Sequence, residues 1–320
     1  MKVAILDDWE RYMIEHASIT RLREHFEVTA YHDKPSEERL LERLAEADIV
    51  IPVRERTRFT KSLLSQLPHL KLIAQTGSGL AHIDMNEASR LKIPVTTTPG
   101  GSGAVAELII GFMIAYSRRI IPLHKQVSAG EWPDAIGASL EGKTLGIIGL
   151  GKIGSRVAAA ANAFGMNVLA WSPNLTVQRA REQHTDYAAL EHLLQQSDMI
   201  CLTIRFSERT NCLLKEQHFQ IMKPTALLIN TSRGQIVDED ALISALARKR
   251  IGGAALDVFV QEPLAPDHPL LSLDNVILTP HIGWKTDRMF SQFINTAVDR
   301  IIGYVIDGDT TGIVNLDQIR

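Results

Sequence analysis

Three side chains that could bind an anion and move a proton directly follow apolar stretches of the sequence. These are Arg233, Glu262 and His281. A planar guanidinium binds a carboxylate through two parallel hydrogen bonds, and an imidazole exchanges a proton near neutral pH. A carboxylate beside that imidazole would favour its protonated form and raise its pKa, so Glu262 and His281 are predicted to form an acid–base pair. Because ligands bind beyond the carboxyl ends of strands in open α/β sheets, we expect the three to share one site.

Each of these residues also has a structural interpretation when it is taken alone. Arg233 fits a surface ion pair, Glu262 a turn carboxylate, and His281 a hydrogen-bonded histidine at a domain boundary. Placement of all three at strand ends of one domain favours the shared catalytic site.

A glycine-rich segment predicts a dinucleotide-binding site. It follows the apolar run 145–148 and opens a helical pattern that ends near Phe164. Glycines there permit a tight turn and close approach of the backbone to a pyrophosphate, which the helix N-terminus then binds. The expected cofactor contacts in this segment are Gly149, Gly151, Lys152, Ile153 and Gly154.

The choice between NAD and NADP stays open. The second strand of the unit, 168–171, is followed by Ser172 and Asn174, where NAD enzymes usually carry an acid for the ribose 2′-hydroxyl. One interpretation has Ser172 and Asn174 binding that hydroxyl, with the nearby arginines solvated. The other has NADP bound through an arginine, with Arg179, Arg181 and Arg205 as the candidates.

Strand and helix patterns alternate along the chain and then restart, which indicates two doubly wound α/β domains with parallel sheets. One clear helix between the first strands is 36–45, and a last helix is expected over about 286–306. The predicted strands are 3–6, 28–31, 49–53, 72–75, 95–97, 145–148, 167–171, 199–203, 226–230, 253–258 and 276–278.

The glycine-rich segment 98–103 and the segment 280–283 are expected to connect the domains. We therefore predict a Rossmann cofactor domain, 99–284, inserted into a discontinuous flavodoxin-like substrate domain, 1–98 and 285–320. The active site is expected in the cleft between them, and closure of the cleft would exclude water.

The longest apolar run, 104–116, is interrupted by Glu107 and is shorter than the roughly 18–20 residues of a membrane span. The helix it predicts, 105 to about 118, is apolar nearly all round. It must therefore be covered within the core or by a second subunit. We favour a homodimer interface around residues 104–118.

Composition excludes several classes of function. The formal net charge of −3 gives no basic surface for nucleic acid or an anionic membrane. Two acidic residues, Asp7 and Asp8, follow the first strand at the point where a signal peptide would continue its apolar segment. The chain also has only two cysteines, which is typical of a reducing compartment. A cytoplasmic location is therefore expected. His184 and His192 lack partners at ligand spacing, and no metal is proposed.

Six ordered motifs resemble the D-isomer-specific 2-hydroxyacid dehydrogenase family, and together they span nearly the whole chain. They are 77–79 with 83–84, 104–107, 149–154, 222–224 with 230–234, 255–259 with 262–263, and 279–283.

The resemblance implies an enzyme that transfers a hydride between NAD or NADP and C2 of a small D-2-hydroxy or 2-oxo acid. It implies that Arg233 binds the substrate carboxylate and polarises the C2 oxygen, that His281 exchanges the proton, and that Glu262 orients His281. Backbone N–H groups at Ser78 and Gly79 would bind the carboxylate. The cofactor would also contact Thr203, Thr231, Asp257 and Gly283, with Asp257 on the nicotinamide carboxamide.

Several positions depart from the family pattern or have open roles. His82 replaces an asparagine-like residue and is interpreted as loop support rather than a substrate contact. Thr203 and Arg205 stand where relatives commonly have histidine and proline, beside the adenine end of the cofactor, so Arg205 is the favoured partner of a 2′-phosphate. Trp284 either lines the substrate pocket or packs against other hydrophobic residues at a domain boundary. The Arg54 side chain either binds an acidic or polar tail of the substrate or, as we favour, is a solvated charge on a loop.

Glyoxylate, hydroxypyruvate and related short oxo acids are the first expected substrates. Two alternatives remain. One is oxidation of a small anion such as formate, for which the extra amide side chains are not found. The other is a nucleotide-sensing, corepressor-like binding protein on the same fold. The complete set of Arg233, Glu262 and His281 favours the enzyme.

Overall fold

The computed structural model describes residues 1–319 and divides the chain into two compact units. The first consists of Met1–Gly101 and the segment that begins at Lys285, and the second is Ser102–Trp284. The first segment of this unit thus ends at Gly101, three residues after residue 98, where the first segment of the substrate domain was expected to end. Gly100 still packs near the Ser78 hydroxyl and Gly101 against Met289, while a helix of the second unit begins at Ser102.

The first unit has a five-stranded parallel sheet in the order β2-β1-β3-β4-β5. Its strands are β1 (Lys2–Leu6), β2 (Glu27–Ala30), β3 (Ile49–Pro52), β4 (Leu72–Gln75) and β5 (Val95–Thr97). Its helices are α1 (Ala17–Arg23), α2 (Glu37–Leu44), α3 (Lys61–Ser65), α4 (Met85–Arg90), α12 (Asp287–Asp307) and α13 (Leu316–Ile319).

Short β-branched strands form this sheet because both of its faces are covered. All four residues of β3 and of β4 are buried, as expected for central strands of a parallel sheet. The helices begin at capping side chains, since Ser36 accepts a hydrogen bond from the Arg39 N–H and Thr286 from the Met289 N–H. Because β1, β3 and β4 are neighbouring parallel strands, the loops that follow them emerge side by side at the carboxyl edge of the sheet.

The second unit has a seven-stranded parallel sheet in the order β12-β11-β10-β9-β6-β7-β8. Its strands are β6 (Thr144–Ile148), β7 (Asn167–Trp171), β8 (Asp186–Tyr187), β9 (Met199–Leu202), β10 (Leu227–Asn230), β11 (Gly253–Leu256) and β12 (Val276–Leu278). Its helices are α5 (Ser102–Ser117), α6 (Ile120–Ser128), α7 (Lys152–Ala163), α8 (Val177–Glu182), α9 (Leu190–Gln196), α10 (Glu216–Ile221) and α11 (Glu239–Ala247).

The strand order of this unit reverses between β6 and β9, which is where open α/β sheets bind their ligands. Sequence analysis missed β8, because its two residues are exposed and carry no apolar pattern. The two predicted α/β domains with parallel sheets are confirmed, and the order of the larger sheet is that of a Rossmann domain.

Two apolar clusters, one on each face of the larger sheet, form the core of the second unit. Helix α5 contributes Ile109, Phe112 and Met113 to one of them and packs on α7. Much of its apolar surface is thus covered within the unit. Five of the large exposed apolar side chains lie farther along, from Ile120 to Ile136.

None of the helices in residues 1–319 combines the length and the apolar character needed to cross a bilayer.

Candidate active site

His281 and Glu262 form a hydrogen-bonded pair in the second unit. The His281 Nδ1 atom lies 2.7 Å from Glu262 Oε2. The other carboxylate oxygen, Oε1, accepts a 3.0 Å hydrogen bond from the Phe259 N–H, which keeps the carboxylate facing the ring. Both side chains are partly open to solvent, at 29% exposure for His281 and 36% for Glu262. The pair is therefore positioned by the protein and accessible to a ligand.

The charge state of Glu262 follows from its neighbours. Burial, the largest influence, raises the pKa of Glu262, but three surrounding groups together hold that pKa below its usual range. These are the His281 ring through its hydrogen bond and charge, the Phe259 N–H, and the Arg233 guanidinium. The carboxylate stays ionised at neutral pH, as an orienting partner of an imidazole requires.

Arg233 lies beside this pair on the loop after β10. The buried Asn230 side chain holds the loop from both ends, accepting from the Ser232 N–H at 3.0 Å and donating to the Arg233 carbonyl at 3.0 Å. The Ser232 hydroxyl binds the Ile204 carbonyl. A Cβ atom on Gly234 would collide with the backbone of Phe259, so only glycine lets the two loops approach this closely. Gly234 thereby brings Arg233 close to Glu262.

Asp257 anchors the loop that carries His281. Its Oδ1 atom accepts hydrogen bonds from the Thr279 hydroxyl at 2.6 Å and the Ile282 N–H at 2.7 Å, and its Oδ2 atom accepts one from the Gly283 N–H at 2.8 Å. Asp257 is 1% exposed. His281 has a left-handed backbone with φ of 52°, a conformation that non-glycine residues adopt only when their surroundings hold them there. Sequence analysis did not foresee this anchoring role.

The glycine segment after β6 has the geometry of a phosphate-binding turn. Gly149 has φ of 110° and lies against the backbone of Ile204, and a Cβ on Gly154 would meet the Gly149 carbonyl. The Thr203 hydroxyl donates to that same carbonyl at 2.7 Å. Helix α7 begins at Lys152, its N-cap residue Gly151 provides no side-chain cap, and the space around Gly151 is open. Its first N–H groups can therefore bind an anion.

Further polar groups fit a dinucleotide. The Thr231 hydroxyl is buried and has no hydrogen-bond partner among residues 1–319, which suits a residue completed by a bound ligand. The Ser172 hydroxyl accepts a hydrogen bond from the Leu150 N–H at 3.1 Å and so supports the glycine turn. Asn174 and Arg205 are exposed beyond the ends of β7 and β9. The residues present fit NAD or NADP.

The first unit presents a second candidate site in the loop after β4. Gly77 is buried with φ of 85°, and its N–H donates to the Thr98 hydroxyl at 2.6 Å. Ser78 is exposed and Gly79 partly so. Neither of their N–H groups donates a hydrogen bond within the described part of the chain, so both remain available to a carboxylate.

Arg54 is not the solvated loop charge that we favoured from the sequence. Its side chain is 14% exposed, lies across Gly77 and approaches the Glu55 carboxylate at 3.4 Å. The residue before Gly77, Thr76, accepts a hydrogen bond from the Arg54 N–H at 2.8 Å. The expectation failed because the backbone turns left-handed at Arg54, with φ of 59°, and sequence does not reveal that turn.

His82 supports this loop, in agreement with the interpretation favoured from the sequence. It is 9% exposed, and its Nε2 atom lies 3.2 Å from Gln75 Oε1. The Gln75 amide donates to the Arg54 carbonyl at 3.2 Å and to the Thr76 carbonyl at 2.8 Å. Its oxygen must therefore be the acceptor from His82, which places the imidazole proton on Nε2.

Trp284, the last residue of the second unit, is 7% exposed, and its part in substrate binding stays a prediction. Residues 1–319 contain no cluster of three or more histidine, cysteine or acidic side chains able to hold a metal ion.

This chain is similar to a known protein family over most of its length. Residues 110–283 match the family profile described as D-isomer specific 2-hydroxyacid dehydrogenase, NAD binding domain. A glyoxylate reductase of Korarchaeum cryptofilum is 33% identical over 96% of this chain and 95% of its own length.

Two solved structures resemble the whole chain. A phosphoglycerate oxidoreductase from Vibrio cholerae has a TM-score of 0.88 and 35% identity, covering 95% of this chain and 98% of that one. An acyclic imino acid reductase in complex with NADPH and D-arginine has a TM-score of 0.82 and 28% identity, covering 98% of this chain and 100% of that one.

Proposed function

Because the chain belongs to the D-isomer-specific 2-hydroxyacid dehydrogenase family, and is thus an NAD(P)-dependent oxidoreductase of small hydroxy and oxo acids, we propose that Arg233, Glu262 and His281 perform its reaction. The 2.7 Å contact between His281 and Glu262, with Arg233 close enough to influence the carboxylate, carries this assignment. The preferred substrates are short 2-oxo acids such as glyoxylate and hydroxypyruvate.

The proton moves through His281. Its Nδ1 atom is engaged by Glu262, so Nε2 is the nitrogen that gives a proton to the substrate C2 oxygen in reduction and removes it in oxidation. The ionised Glu262 fixes the orientation of the ring through this hydrogen bond. A positioned general acid of this kind contributes about 10²–10⁴-fold to the rate.

Arg233 and the loop after β4 bind the substrate anion. The Arg233 guanidinium pairs with the carboxylate and polarises the C2 oxygen, because its planar fork matches both. The N–H groups of Ser78 and Gly79 are the second set of donors to the carboxylate.

The nicotinamide supplies or accepts the hydride when the cofactor is bound. Residues of the turn after β6, with Thr203 supporting it, hold the pyrophosphate, and Thr231 and Gly283 lie along the same carboxyl edge. Where an acid would discriminate against a 2′-phosphate, the chain has Ser172 and Asn174, and Arg205 stands exposed beyond the neighbouring β9. NADPH is therefore accepted together with NADH.

The test is the fall in absorbance of NADH and of NADPH with glyoxylate, hydroxypyruvate, pyruvate and phenylpyruvate. His281→Ala should lower kcat by about 10³-fold without weakening cofactor binding, which intrinsic fluorescence would measure. His192→Ala, at an exposed position on α9, is the matched control and should retain wild-type kcat. Wild-type turnover by His281→Ala would exclude the proposed proton path.

A homodimer is the second part of the proposal, and an exposed apolar surface supports it. We define this dimer surface as Ile120, Ile121, Val127, Trp132 and Ile136. Trp132 is 90% exposed and Ile136 is 94% exposed, and large apolar side chains this open mark association surfaces. The surface directly follows α5, so it extends the interface first expected at residues 104–118.

Light scattering after gel filtration tests the dimer. Replacing Trp132 and Ile136 by Asp should halve the mass in solution, whereas Leu271→Asp, at a residue that is 52% exposed elsewhere in the second unit, should leave it unchanged. A monomeric wild-type protein at micromolar concentration would refute the interface.

A further inference from the structure

The loop after β4 is closed at its base by a hydrogen bond between two buried side chains. Gln75, the last residue of β4, is fully buried, and His82 is 9% exposed. The His82 Nε2 atom lies 3.2 Å from Gln75 Oε1. Between these two residues lie Ser78 and Gly79, whose N–H groups are available to a carboxylate. The hydrogen bond therefore joins the start of the anion-binding loop to its end.

The Gln75 amide also ties this loop to the loop after β3. Its Nε2 atom donates to the Thr76 carbonyl at 2.8 Å and to the Arg54 carbonyl at 3.2 Å. The Thr76 hydroxyl in turn accepts from the Arg54 N–H at 2.8 Å and donates to the Pro52 carbonyl at 2.8 Å. Because both amide hydrogens of Gln75 are used in this way, its oxygen needs a donor, and His82 supplies it.

The protonation state of His82 fits this role. Burial, the largest influence, lowers the pKa of His82, and although the Glu55 carboxylate opposes this effect, the Arg54 guanidinium adds to it, so the pKa lies below its usual value. The Nδ1 atom is buried and has no hydrogen-bond partner within residues 1–319, so a proton there would be unsatisfied. The ring is therefore neutral near neutral pH and carries its one proton on Nε2, facing Gln75.

Further hydrogen bonds hold the loop in one conformation before a ligand binds. Gly77 has φ of 85°, and its N–H donates to the Thr98 hydroxyl at 2.6 Å. At the other end, the His82 carbonyl accepts from the Phe59 N–H at 2.8 Å. A buried hydrogen bond adds only modestly to net stability, since it replaces hydrogen bonds to water, but it specifies a geometry. A loop ordered in advance loses little conformational freedom when an anion binds, which strengthens binding.

We propose that His82 and Gln75 are positioning residues that set the affinity of the enzyme for the substrate carboxylate. This inference rests on the proposed function, in which Ser78 and Gly79 bind that carboxylate. The carboxylate does not react, so its contacts are equally strong in the bound substrate and in the transition state. Loss of the Gln75–His82 hydrogen bond should therefore raise KM and leave kcat nearly unchanged.

His82→Leu and His82→Gln form the test pair. Leucine fills the buried space without a donor, whereas the glutamine amide can place its nitrogen where the imidazole Nε2 lies and donate to Gln75. His82→Leu should raise the KM for glyoxylate about tenfold, change kcat less than about threefold and leave the Kd of NADPH unchanged. His82→Gln should restore KM to within about threefold of the wild-type value, which a side chain that merely fills space would not do.

Gln75→Leu removes the same hydrogen bond from its other side. It should raise KM about as much as His82→Leu, and the double variant should raise KM no further, because the two side chains act as one unit. His69→Leu, the same exchange at an exposed position of the first unit, is the control and should change neither KM nor kcat.

A His82→Leu enzyme that is folded by circular dichroism and has the wild-type KM would overturn the proposal. If that variant does not fold, His82→Asn, whose amide is too short to replace Nε2, takes its place with the same expected rise in KM. A fall in kcat of about 10²-fold in His82→Gln would also overturn it, since that result would indicate proton transfer by His82. Absence of wild-type turnover with every oxo acid and both cofactors would instead refute the proposed function.

Discussion

Replacing Asp257 by Asn separates two roles for this residue. The resemblance to the family places Asp257 on the nicotinamide carboxamide, whereas the structure shows it accepting three hydrogen bonds from the loop that carries His281. An asparagine has one acceptor atom and one donor atom in place of two acceptors. At least one N–H or hydroxyl donor of the loop would therefore face another donor.

The size of the effect follows from these contacts. A hydrogen bond to a charged acceptor contributes about 1.5–3 kcal/mol, and Asp257 is fully buried, so the loss costs about 2–4 kcal/mol. For a unit of this size each kcal/mol shifts Tm by about 2–4 °C, so we expect a fall of about 4–16 °C in its transition. A displacement of His281 by about 1 Å would lower kcat about 10²-fold.

Calorimetry and steady-state reduction of hydroxypyruvate measure these two effects, and titration of intrinsic fluorescence measures cofactor affinity. Asp267→Asn, at an exposed position, is the control. If Asp257 mainly anchors the loop, Tm and kcat fall while the cofactor Kd stays within about threefold. A raised Kd with unchanged Tm would refute the anchoring argument and favour the carboxamide contact.

Three further predictions concern packing, cofactor choice and pH. Gly234→Ala should destabilise the second unit by about 1–3 kcal/mol and reduce kcat, because its Cβ would collide with the Phe259 backbone; Gly111→Ala, which meets nothing within 4 Å, should not, and equal Tm values would contradict this reasoning. Arg205→Ala should raise the Kd of NADPH more than that of NADH, and an equal rise would exclude Arg205 as the phosphate partner. The Arg90 and Ser65 side chains lower the pKa of Glu87 to about 2. Its stabilising effect is therefore present above the unfolded value near 4.5 and is lost as the pH falls towards 2, so acid titration of Glu87→Gln should show a weaker loss of stability over that range than wild type.

Much of the fold could be predicted because buried parallel strands have a strong local signal. The bounds of β4, β5, β7 and β12 agree with the expected ones, and the helix expected at 36–45 begins at its Ser36 cap. Only β8 was missed, since a two-residue exposed strand depends on its neighbour and not on its own sequence.

The site was predictable in its chemistry but less so in its supports. Arg233, Glu262 and His281 were identifiable because reactive side chains follow apolar strands that end at one sheet edge. Asp257 and Asn230 could not be recognised as anchors, because their partners are backbone groups of loops. Glu55 carried no signal beyond a charge in a loop, and Arg54 was assigned wrongly to solvent.

The sequence by itself determined which segments form strands, where the glycine turn lies and which side chains can exchange a proton or bind an anion. These properties depend on local periodicity and side-chain chemistry. Only the tertiary structure decided that His281 meets Glu262 at 2.7 Å and that the Arg54 side chain turns back over Gly77 beside Glu55. The reason is physical: left-handed backbones at His281 and Arg54 are held by hydrogen bonds from residues remote in sequence, and no local pattern encodes them.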